Sequence, residues 1–66
     1  MNNTEQTYLI KASEAAKLAS TSLPTIYAWT EREDFDALIR VGKRKLIIQH
    51  KFIAWLERMA ENRIAL

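Results

Sequence analysis

The side chains able to do chemistry in this 66-residue sequence are few, and spacing sets most of them aside. His50 is the only imidazole and cysteine is absent. No zinc shell can therefore be completed, and there is no thiolate nucleophile or disulfide. A lone histidine beside a helix start is more often a cap or a surface residue than a ligand. The acids Glu31, Glu33, Asp34 and Asp36 crowd together, but without a glycine or calcium-loop spacing they read as a solvated helix end. The one glycine, Gly42, cannot build a phosphate cradle. What remains is the cationic group Arg40, Lys43, Arg44 and Lys45. Its chemistry is neutralisation of a polyanion, not the making of bonds.

Size points the same way. A chain this short holds one small domain. Most of its apolar residues must fill a core before any cleft is lined, so no enzyme activity, cofactor or metal site is expected. Hydrophobic residues at 48% and charged residues at 27% make a globular composition. No apolar run nears the roughly 18 to 20 residues of a membrane span. Without cysteine or a secretory-type start, the expected setting is reducing and cytoplasmic, at the nucleoid if the partner is DNA. The net charge of +2 is unevenly spread. Up to Asp36, the cations Lys11, Lys17 and Arg32 face Glu5, Glu14, Glu31, Glu33, Asp34 and Asp36. After it, Arg40, Lys43, Arg44, Lys45, Lys51, Arg58 and Arg63 face only Glu57 and Glu61. A polyanion is drawn to the second half.

The elements that must position those cations follow from local pattern. Residues 1–7 are polar and aperiodic, a flexible terminus, and Tyr8, Leu9 and Ile10 form an apolar entry that suits a brief strand. A first helix is predicted over about Ala12–Ala19, capped by Ser13 or, if it begins a turn earlier, by Lys11 with Glu14 at the third position. Ser20, Thr21 and Ser22 then make a turn. Ser22 caps a second helix, with Pro24 in its first turn and apolar Leu23, Ile26 and Trp29 at spacings of three, reaching to about Glu33. With Gly42 and Lys43 central in a tight turn, Val41 pairs with Arg44, Ile39 with Leu46 and Ala37 with Ile48. This hairpin has a greasy side (Ala37, Ile39, Val41, Leu46, Ile48). Its other side carries Leu38, Arg40, Lys45 and Ile47 and is largely cationic. Gln49 to about Asn62 forms a closing helix with the stripe Phe52, Ile53, Trp55, Leu56, Met59 and Ala60. Trp29, Trp55, Ile26, Leu18 and Phe52 read as core. Residues 63–66 are a tail.

The architecture predicted is thus α+β: a small winged helix-turn-helix over residues 8–62, with two N-terminal helices, a β-hairpin wing and a closing C-terminal helix. Its expected partner is double-stranded DNA. The second helix enters the major groove, with Ser22, Pro24, Thr25, Tyr27, Ala28 and Arg32 toward it, while Arg40, Lys43, Arg44 and Lys45 of the wing neutralise phosphates. Tyr27 borders the apolar stripe, and packing and phosphate contact are both open to it. The second helix offers little to read bases with, so binding should lean on phosphates, DNA deformability and neighbouring copies. Two plainer readings stand beside this one. The basic tip could serve only solubility and edge protection, or the acidic helix end and the apolar tail (Ile64, Leu66) could dock a protein.

Taken in order, several residues carry a resemblance to a known family. They are Glu14, Ala15, Ala16 and Leu18, then Ser22, Thr25, Ile26, Tyr27 and Trp29, then Phe35, Arg40, Val41, Gly42, Lys43 and Arg44, and finally Trp55 and Leu56. The segment from Tyr8 to Leu56 resembles the excisionase-type branch of small winged-helix proteins, related to the MerR-like DNA-binding domain. Leu23 and Pro24 depart from it, standing where the family more often has polar or basic residues. The resemblance implies a recombination directionality factor that binds tandem sites, bends DNA and directs a tyrosine-type integrase toward excision. It also admits an AlpA-like transcription regulator of a phage or mobile element. It implies that Thr25, Tyr27 and Ala28 face the major groove.

Overall fold

The computed structural model describes residues 8–66; the terminus expected to be flexible, 1–7, lies outside the described residues. The order of elements is β1 (Leu9–Ile10), α1 (Ala12–Leu18), α2 (Leu23–Thr30), β2 (Leu38–Val41), β3 (Arg44–Ile48) and α3 (Gln49–Glu61). The α+β winged helix-turn-helix architecture is therefore present: a helix pair, a hairpin and a closing helix. No helix of the described residues is long and apolar enough to cross a membrane.

Lys11, not Ser13, is the N-cap of α1. Glu14 sits at the third helical position, and its Oε1 accepts the Lys11 backbone N–H at 2.8 Å, tying down the chain entry and placing a negative charge near the positive helix end. The helix ends through Ser20, which takes the left-handed conformation (φ 55°). The N–H of Thr21 then reaches the carbonyl of Ala16 at 2.8 Å, so the trailing carbonyls of α1 stay satisfied in a tight turn. Ala15 and Ala16 are buried; side chains this small let α2 lie against α1.

α2 stops at Thr30, short of the predicted Glu33. Carboxylates at 31, 33 and 34 would sit on the negative end of a longer helix. A stop here also lets residues 31–34 turn and brings Phe35 inward, with its ring edge-on to Trp55 at 4.9 Å. Trp29 packs on the same pair of α3 rings, 5.6 Å from Trp55 and 6.3 Å from Phe52. This aromatic group locks α2 to α3.

The hairpin register is the one read from Gly42: Val41 pairs with Arg44, Ile39 with Leu46, and the Ile48 N–H donates to Ala37 at 2.7 Å. Gly42 has φ +63°, as a two-residue turn with glycine first requires. β1 adds to the far side of β3, pairing Leu9 with Ile48 and Ile10 with Ile47, in the strand order β1-β3-β2.

Burial is split between the two sides of the hairpin, and on the apolar side only Ala37 is fully buried. Ile47, on the side shared with Arg40 and Lys45, is 1% exposed and meets the core beside Ile10. Ile39 and Val41 stay exposed. The core joins Ile10, Ala15, Ala16, Ile26, Ala37, Ile47, Phe52, Trp55 and Met59. Trp55, Phe52, Ile26 and Ile47 are its largest fully buried side chains, each stabilising the fold by roughly 1.5–3 kcal/mol or more. Leu18, expected in the core, is 48% exposed. It is the last residue of α1 and lies beyond the stretch that Ala15 and Ala16 bury.

Candidate nucleic-acid interface

The cations of the wing belong to a built surface. An open cavity of about 530 Å³ separates the hairpin from the helix pair. Lys43, Arg44, Lys45 and Leu46 form one wall, Leu23 and Tyr27 of α2 another, and Lys11, Ala12 and Ser13 at the start of α1 close it. Four of these side chains are cationic and none is a carboxylate. Tyr27 is 56% exposed and lines the cleft, whereas Ile26 is the residue of α2 buried in the core. At the foot of the cleft a smaller recess, about 160 Å³, is bounded by Tyr27, Thr30, Glu31, Leu38, Lys45 and Ile47, with Ala12.

Lys11 and Leu23 were not among the interface residues expected from the sequence. Lys11 comes from the acidic half of the chain. It reaches the basic wing because β1 pairs antiparallel to β3, and continuing the register one step past the Ile10–Ile47 pair sets residue 11 opposite Leu46. The readable signal was the apolar Tyr8-Leu9-Ile10 entry; its strand partner was not readable.

The residues expected at the major groove divide. Ser22 is the N-cap of α2 and Pro24 stands in its first turn, but the Ser22 hydroxyl meets Thr25 Oγ1 at 3.0 Å instead of a backbone N–H. Pro24, Thr25 and Ala28 are outside the lining of the cleft and border a separate shallow recess that Leu66 also borders. Arg32 stands past the end of α2, not on it. Its guanidinium donates to both carboxylate oxygens of Asp34 at 3.0 Å and lies 6.0 Å from the Trp55 ring centroid. These hydrogen bonds hold the Asp34 carboxyl below its ordinary range and raise the Arg32 guanidinium; desolvation opposes both, and the mutual charge adds to both. The buried indole N–H of Trp55 has no partner within hydrogen-bond distance among the described residues.

Arg40 pairs with Lys45 across the hairpin and is exposed, outside the lining of the cleft. His50, in the first turn of α3, is exposed and lies against the Tyr8 ring at 5.3 Å. It is a surface contact, and among the described residues no group of histidines and acids is placed to hold a metal ion. Asp36 and Arg58 form an exposed ion pair at 3.3 Å, worth at most about 1 kcal/mol.

A capped helix pair, a hairpin wing beside the second helix and a cationic cleft between them define a winged helix-turn-helix of the DNA-binding class. Residues 9–60 match the family model described as "Helix-turn-helix domain". The chain belongs to that family, and the match takes in every element from β1 to the last turn of α3. No curated protein and no solved structure matches it.

Proposed function

We propose that this DNA-binding domain is a non-enzymatic accessory factor of excisionase type. It binds and bends tandem duplex sites and directs integrase-mediated excision of a mobile element, with a tyrosine-type integrase and neighbouring copies of itself as protein partners. The observation that supports the reading best is the shared cleft, in which Leu23 and Tyr27 of α2 face Lys43, Arg44 and Lys45 of the wing. A helix and a hairpin so arranged can engage adjacent stretches of one duplex, the helix in the major groove and the wing along the neighbouring backbone. Such a clamp favours bent DNA, because curvature brings the second stretch within reach. An accessory role also suits the chemistry of α2, which carries no Arg, Asn or Gln to read a base edge. One weak reader and four cations give modest affinity, which adjacent copies would raise.

Footprinting on DNA flanking the encoding gene tests this directly. Repeated protected sites with enhanced cleavage between them are expected, along with a rise in excision when the protein is added to the element's integrase. A single protected promoter site without effect on recombination would assign the AlpA-like regulatory role instead. Absence of any protection would remove the DNA reading.

A further inference from the structure

The outer flank of α2 has a definite chemistry. Leu23, Pro24, Tyr27, Ala28 and Glu31 fall together on it at helical spacing, opposite buried Ile26. Leu23 is 37% and Tyr27 56% exposed, and Pro24 and Ala28 are exposed as well. Almost nothing on this flank can donate to a base edge. Pro24 has no N–H. Ser22 and Thr25 spend one hydroxyl hydrogen on each other. Arg32 stands past the end of α2 with two of its five N–H donors on Asp34, and Glu31 only accepts. The Tyr27 hydroxyl stands at the edge facing the wing.

The sole apolar group on a base edge of the major groove is the C5 methyl of thymine. Resting on the DNA-binding reading, we infer that α2 recognises thymine methyl groups through apolar contact from Leu23, Pro24 and Ala28. The wing cations supply affinity without sequence, and α2 then selects thymine at the positions its first two turns cover. Leu66, at the border of the same flank, extends its apolar character.

The test uses duplexes selected by the intact protein from a random-sequence pool and resynthesised with deoxyuridine in place of thymidine, which removes only the methyls. Affinity should fall about fourfold for each methyl that α2 buries. The penalty should shrink for Leu23→Ala and for Ala28→Ser, each checked for an unchanged helical spectrum. Equal binding of thymine and uracil duplexes overturns the inference and leaves the DNA reading intact. A loss that neither variant reduces also overturns it, since the methyls would then be acting through DNA stiffness. Selection that enriches no sequence, with no retention of any duplex, removes the DNA reading itself.

Discussion

Arg32 and Asp34, two residues apart beyond the last turn of α2, form a two-pronged pair in which Nε and Nη2 each reach a carboxylate oxygen at 3.0 Å. The pair braces a turn rich in acids and keeps a guanidinium over the Trp55 ring. Asp34 consequently titrates below its ordinary 3.8 in the folded protein. The unfolded chain therefore takes up a proton first as the solution is acidified. The stability the pair contributes is present above about pH 4 and is lost as pH falls through the lowered native value. Thermal melts between pH 7 and pH 2.5 should show Asp34→Asn losing less on acidification than the parent. Parallel curves for the two would mean that the exposed pair contributes nothing.

Replacing Lys43, Arg44 and Lys45 together by alanine should weaken binding to every duplex, selected or random. The salt slope should flatten by about 0.9 for each phosphate that the wing no longer neutralises. All three side chains are exposed, so the melting curve should hardly move. Titrations at several salt concentrations check this; an unchanged slope removes the wing from the interface.

Lys11→Ala should flatten the slope by about 0.9, the share of a single phosphate, because this lysine faces the wing across the cleft. Lys17→Ala, an exposed lysine of α1 outside the cleft lining, serves as the matched control. Similar reductions for both would reduce the effect to net charge alone.

Two positions of the hairpin should respond very differently to truncation. Ile47→Ala opens a cavity at a fully buried site and should cost about 2–5 kcal/mol. Ile39→Ala, at an exposed position, should cost well under about 1 kcal/mol. Denaturant titrations of the two variants decide it, and comparable costs would contradict the observed burial.

Where local signals sufficed, the fold could be read from the residues. Ser22 and Pro24 marked the start of α2, Gly42 set the hairpin register, and the Phe52, Trp55, Met59 spacing drew α3. Each rests on neighbours within a turn or two of chain. The end of α2 is not legible locally because the driving force to stop it is distant: Phe35 must turn in to reach Trp55. Leu18 looked like core since composition cannot tell which apolar residue overhangs the end of a packed helix. Of the interface, the wing cations were visible as a cluster, whereas Lys11 and Leu23 became part of it only through packing.

The order of residues alone dictates a helix pair, a turn at Gly42 with its cross-strand partners, a closing amphipathic helix and a strongly basic second half. All are encoded between residues close along the chain, so propensity and periodicity reveal them. Long-range packing, in contrast, buries Ile47 on the cationic side of the hairpin, brings Lys11 to the wing cations, and sets Arg32 beside the Trp55 ring. These outcomes depend on β1 pairing with β3 across more than half of the chain and on how the aromatic rings of α2, α3 and Phe35 fit together. Pairing at that range is chosen by the whole core at once, because only the joint burial of Ile10, Ile47 and the aromatic group offsets the entropy of closing the loop.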